Sequence, residues 1–195
     1  MLNGRRVQIV ELNESEFRRA TECARRRSRP SLRPSATHFE IGDESAAQRL
    51  AWDELGAQGE VVVGRVLGVE APLGVNTFHA PDIPPDWSVK TQLSTSRNMR
   101  DRYMRIQPHA YHFGWRHVLV ERDIALWGGF VFIVHGWIAD EQARRVAVKR
   151  HWRDNDFVHL RHLSPLTRDV YDTVYGAPTD EPPAPAPFDT DMGAA

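Results

Sequence analysis

The stretch DWSVKTQL, Asp86 to Leu93, alternates with the two-residue period of a β-strand from Trp87 onward. Trp87, Val89, Thr91 and Leu93 share one face, and Ser88, Lys90 and Gln92 share the other. The apolar face is read as the core face, so Lys90 is directed toward a polar surface or cleft. Lys90 is unusual in its own chain, which carries 23 Arg and only one other Lys, Lys149. Asp82 lies eight residues upstream across the Pro84-Pro85 turn. Two strands joined at that turn bring Asp82 close to the Ser88/Lys90 face.

Upstream, GAQGEVVVGRVLG carries Glu60, with Gly56 and Gly64 as its i−4 and i+4 neighbours on a helix. The start signal Gly42-Asp43-Glu-Ser opens a long helical stretch to about Leu67, expected to be broken or loosened near Gly56 to Gly59. Each interior glycine costs a helix about 1 kcal/mol relative to alanine, so a compensating close approach of helix to sheet is expected. That approach lets Glu60 reach a site at the strand ends. Further strands are expected at Arg5 to Leu12, Gly74 to Ala80, Tyr103 to Gln107, His117 to Glu121, Phe130 to Ile138 and Phe157 to Leu160. Helices are expected from Asn13 to about Arg27, from Asp140 to Arg150 and from Pro165 to Tyr175. The order predicts an α/β domain with a mixed central sheet flanked by helices. Residues 1–36 read as a strand-helix extension with an Arg-rich linker, 37–176 as the α/β domain, and 177–195 as a disordered acidic, proline-rich tail.

At 195 residues, 41% hydrophobic and 26% charged, the composition is that of a soluble folded domain. Cys23 is alone, which excludes a disulfide framework within the chain. The longest uncharged, largely apolar run, Ile124 to Val134, is too short for a membrane span. The first residues meet charge before a signal sequence could form, so a cytoplasmic protein is expected. The net charge of −1 conceals an acidic tail; without residues 177–195 there are 25 bases against 22 acids. Residues 1–36 hold nine Arg against four Glu, a balance that permits a polyanionic partner.

Taken in order, GAQGEVVVGRVLG, VNTFHAPD, WSVKT, HVLVE, HGWIADEQARR and DFVHLRHLSPL resemble the PD-(D/E)XK nuclease superfamily. The similarity is to its small phage and mobile-element members, whose restriction-endonuclease-like core runs helix, three strands, helix, strand. It covers roughly residues 41–168. The resemblance implies a Mg2+- or Mn2+-dependent nuclease acting on DNA in a bacterial or phage-infected cell. It assigns the first-helix carboxylate to Glu60, the strand Asp to Asp82 and the Lys to Lys90. Glu60 and Asp82 would hold the metal, helped by the Val89 carbonyl, while Lys90 would position or deprotonate the attacking water. Gln92 would hold a phosphate or a water. The chain departs from the pattern at Ser88, where the family carries an acid that normally ligates metal. Asp86, on the same strand face, is a substitute only if the chain bends. The lost acid also leaves open a non-catalytic protein of the same fold that binds nucleic acid or serves as an interaction component.

Phosphate contacts are expected from Arg25, Arg26, Arg27 and Arg29, and from Arg97, Arg100, Arg102 and Arg105. The histidines at 109, 112 and 117, and the pair His159 and His162, lack zinc-site spacing. No phosphate-binding glycine loop, G-x-S-x-G or H-E-x-x-H occurs.

Overall fold

The computed structural model describes residues 6–29, 45–75, 80–107, 114–125, 129–150 and 153–170. Most of the strand expected at Gly74 to Ala80, the arginine-rich linker and the acidic tail fall outside these residues.

Strand β1 (Gln8–Val10) leads into helix α1 (Glu14–Arg27). The helix starts where Asn13 and Glu16 cap each other: Asn13 Oδ1 accepts the Glu16 N–H at 3.0 Å, and Glu16 Oε2 accepts the Asn13 N–H at 2.8 Å. Helix α2 (Ala46–Leu67) begins on a Ser45 cap and ends at Gly68, whose φ of 72° suits a residue without Cβ. Contrary to the expected break near Gly56 to Gly59, α2 is continuous. Residues 57–64 are all buried, and that packing offsets the helix propensity lost at the glycines.

The main sheet has the order β1-β5-β4-β2, built from β2 (Trp87–Leu93), β4 (Arg116–Ile124) and β5 (Phe130–Ala139) with β1 at one edge. β2 runs parallel to β4, while β4–β5 and β5–β1 are antiparallel, so the sheet is mixed as expected. A second antiparallel sheet has the order β3-β7-β6, from β3 (Tyr103–Ile106), β6 (Val148–Arg150) and β7 (Arg153–His159). The short helices α3 (Arg97–Arg100) and α4 (Asp140–Val146) connect the layers. The helix expected to reach Arg150 stops at Val146, because Val148 to Arg150 pair with β7 instead. The strand expected at Phe157 to Leu160 begins earlier and turns into a 3-10 helix at Leu160–His162. Helical backbone after Pro165 starts at Arg168, and the described residues end at Val170.

Two cores result. On one face of the main sheet Val61, Val62, Leu67, Trp87, Val118, Val120 and Phe132 pack with Ala20 and Cys23 of α1. The N-terminal strand and helix are thus built into the domain. On the other face Leu119 and Ile138 meet Met104, Ile106, Val158 and Leu160 of the second sheet and its turn, with Ala143 of α4. This second core covers much of the Ser88/Lys90 face of β2: Ser88 is 2% exposed and Lys90 is half-buried. The parallel register seats Ser88 beside His117 and Lys90 beside Leu119, under the second sheet.

Candidate active site

The site is built around the outer edge of β2. Ile83 and Trp87 exchange two backbone hydrogen bonds of 3.0 Å about the cis Pro84-Pro85 bond, closing a tight turn there. The turn lays Asp82 against β2, where its Oδ2 accepts the Val89 N–H at 2.6 Å. Asp82 Oδ1 makes no hydrogen bond among the described residues and is free to take a further partner.

Helix α2 brings Glu60 to the same edge. The contact that allows this is at Gly59, where an added Cβ would lie 1.8 Å from Thr91 Oγ1. Gly64 packs against the Val69 carbonyl and Ala71, and Gly56 lies 4.0 Å, measured from an added Cβ, from Arg27 Nη1. Because Thr91 meets α2, strand alternation puts Lys90 on the opposite face of the sheet. Glu60, Asp82 and Lys90 thus come to the neighbourhood of β2 from helix, turn and strand respectively, close enough for their charges to interact.

These charges feel one another. Burial pushes the Glu60 carboxyl up to about 7; the Arg27 guanidinium opposes this, Asp82 adds to it and Lys90 counters it. Burial also pushes the Lys90 ammonium below its usual range, with Asp82 and Glu60 opposing and Arg105 reinforcing the shift. The structure thus brings Glu60, Asp82 and Lys90 within electrostatic reach, with Arg105 of β3 beside Lys90. Among the described residues, no group of three or more His, Cys, Asp or Glu converges as a metal cluster.

Several expected residues have other partners. Asp86 does not bend toward a cation position: its carboxylate pairs with Arg116, whose guanidinium lies 5.6 Å from the Trp87 ring and 5.8 Å from that of Trp137. The Gln92 amide donates to Tyr103 O at 3.1 Å and accepts from Asn98 Nδ2 at 3.2 Å, tying β2 to the start of β3. Arg97, exposed on α3, lies 3.8 Å from Asp101, and Arg102 is exposed with a left-handed φ of 61°. Arg27, read with Arg25 and Arg26 as a phosphate contact, is turned inward. Its Nη1 and Nη2 donate to Glu60 Oε1 and Oε2 at 2.7 and 2.8 Å, and its Nε donates to Gly74 O at 2.8 Å. Nothing in the local pattern of α1 distinguishes Arg27 from its basic neighbours.

Sequence reading also passed over a buried pair below Lys90. His117 is fully buried, with Nε2 3.0 Å from Asp140 Oδ1, and Asp140 Oδ2 accepts from Arg144 Nε at 3.0 Å. Burial and the nearby Lys90 push His117 down to about 4, against the pull of Asp140. Its contribution to stability is therefore present above the unfolded value of 6.5 and lost as pH falls through about 4. Glu60, raised from 4.5 to about 7, acts oppositely: its contribution is present below 4.5 and lost as pH rises through about 7. The two oppose each other in mild acid, so His117 is isolated by difference. The stability gap between the wild type and His117→Gln is expected to shrink by about 3 kcal/mol between neutral pH and about 4, measured by urea unfolding. A gap independent of pH would mean that His117 titrates normally in the folded chain.

Among the described residues no helix is long and apolar enough to cross a membrane. Comparison with known protein families, curated proteins and solved structures finds no match for this chain.

Proposed function

We propose that this chain is a Mg2+-dependent DNA nuclease of the PD-(D/E)XK type, with a restriction-endonuclease-like core formed by α2, the main sheet and α4. The observation that carries the reading is the approach of Glu60, Asp82 and Lys90 to one edge of β2 from three different elements. The donor set suits a hard cation. Asp82 offers Oδ1, Glu60 offers a second carboxylate once Arg27 releases it, and Mg2+ tolerates few protein ligands because it retains water. Bound there, Mg2+ supplies neutralisation of the charge developing on the phosphate and a lower pKa for the attacking water.

The protein groups have separable roles. Asp82, fixed by the Val89 N–H through Oδ2, would hold the cation with its remaining oxygen. Lys90 is partly desolvated, so its amine sheds a proton more readily than a surface lysine and can accept one from the attacking water. In its charged form it offsets the negative phosphate, as does Arg105 beside it. The water oxygen bonds to phosphorus as its proton passes to Lys90, the bond from phosphorus to the sugar oxygen breaks, and that oxygen takes a proton from solvent.

The test is cleavage of plasmid and linear DNA in Mg2+ or Mn2+, absent in EDTA. The runner-up reading, a catalytically degenerate protein of this fold that binds nucleic acid, is favoured by Ser88 standing where the family's acid belongs. It requires DNA binding without cleavage in any divalent cation. Either reading places DNA along the exposed arginines after β2. Replacing Arg97, Arg100 and Arg102 with glutamine is expected to lower the salt slope of DNA binding by about one unit for each phosphate no longer neutralised. Fluorescence anisotropy at several salt concentrations measures it; an unchanged slope means these arginines are ordinary surface charge.

A further inference from the structure

Helix α1 supplies the counter-ion to the buried carboxylate of the candidate site. Arg27 is its last residue, and both terminal nitrogens of its guanidinium lie on Glu60, one on each oxygen. The pair is sequestered, with side-chain exposures of 17% for Arg27 and 5% for Glu60. The remaining Arg27 donor, Nε, is held by the Gly74 carbonyl just after the turn that follows α2. Helix α1 is itself fastened to α2 by hydrogen bonds from Ser28 Oγ at its end to Asp53 at 2.5 Å and from Thr21 Oγ1 at its middle to Glu54 at 2.6 Å. Arg27 is thus a built-in element of the helix pair. A two-bond arginine fork on both carboxylate oxygens uses the directions from which a metal would be approached.

We propose that Arg27 is the resident cation of this site: its guanidinium occupies both oxygens of Glu60 until a divalent cation replaces it there. The inference rests on the nuclease-type reading of Glu60 and Asp82, and adds to it the protein group that competes with the metal. A divalent cation and a guanidinium on the same buried carboxylate repel each other, so binding of the one weakens the hold of the other. Asp82 Oδ1, which accepts no hydrogen bond among the described residues, is the first point of attachment, and Glu60 joins as Arg27 withdraws from it.

The experiment is calorimetric titration of Mn2+ into the full chain and its variants, with thermal melts to show that each is folded. Arg27→Gln is expected to bind Mn2+ about tenfold or more tightly than the wild type, the equivalent of about 1.4 kcal/mol. Adding Glu60→Gln to Arg27→Gln should remove that gain, and Asp82→Asn should abolish binding in either background. Equal affinity of wild type and Arg27→Gln, with both dependent on Asp82, would overturn the role of Arg27 while leaving the metal site standing. Absence of Mn2+ binding by both folded proteins would instead overturn the site reading and the inference with it. If Arg27→Gln does not fold, Arg27→Lys keeps the charge and stem but loses the fork. It should bind Mn2+ several-fold more tightly than the wild type, and an unchanged affinity would overturn the proposal.

Discussion

Asp82→Asn is expected to lower Mg2+-dependent DNA cleavage by about a thousandfold or more, as is Lys90→Met. Each change removes a charge from the β2 edge with little change of shape, and a thousandfold corresponds to about 4 kcal/mol of transition-state stabilisation. Asparagine retains an oxygen to accept the 2.6 Å bond from the Val89 N–H, so the turn should survive. Methionine keeps the apolar stem of Lys90 in its half-buried place. Melting curves close to that of the wild type would tie the loss to chemistry. Asp86→Asn is the contrasting variant. Its carboxylate is engaged by Arg116, so it should weaken stability through that partly buried pair and leave the cleavage chemistry in place. Initial rates on linear DNA at saturating Mg2+ check all three. Cleavage that persists in both Asp82→Asn and Lys90→Met would remove the site assignment.

The second large effect is expected at Gly59, where Gly59→Ala should destabilise the fold by about 3 kcal/mol. The new Cβ would lie 1.8 Å from Thr91 Oγ1, 3.0 Å from its Cβ and 3.2 Å from its Cγ2. Rotating Thr91 relieves the first contact only by moving another branch into a closed interface, so α2 must shift away from β2. Alanine's better helix propensity, about 1 kcal/mol over glycine, is too small to offset this. Thr91 Oγ1 is buried without a hydrogen-bond partner among the described residues, so Thr91→Ala gives up no polar contact there. The double variant Gly59→Ala/Thr91→Ala should therefore recover most of the loss, with a coupling of about 2 kcal/mol in a urea-unfolding cycle. Additive effects would show that the helix and strand do not press on each other at this point. The displaced helix also carries Glu60, the next residue, so the single variant should bind Mn2+ more weakly than the double one.

Legibility in the sequence followed the range of the interactions. β2 spans Trp87–Leu93 as its two-residue period predicted, and α1 starts after Asn13 and ends at Arg27 as its cap and composition predicted. The turn at Pro84-Pro85 was equally readable, since proline restricts both its own backbone and that of its predecessor. Errors arose where packing overrode local preference. The Gly56 to Gly59 segment reads as a weak point in a helix, yet Gly59 is what admits β2 against α2 and keeps the helix whole. Val148 to Arg150 continue a helical pattern on paper but gain a strand partner in β7.

The sequence alone determined the mixed α/β class, the strand face that carries Ser88, Lys90 and Gln92, and the nearness of Asp82 to that face. The class follows from the order of elements along the chain, and the other two depend on residues within about one turn of one another, where backbone geometry leaves few alternatives. Only the tertiary structure decided that the Lys90 face lies beneath a second sheet, that Asp86 belongs to Arg116 and that Gln92 braces β3. It alone joined Arg27 to Glu60 and His117 to Asp140, pairs separated by 33 and 23 residues. An arginine in a run of arginines has no local mark of its partner. The ion pair depends on burial and on the direction of approach, which arise only when α1, α2 and the β2 edge are packed together.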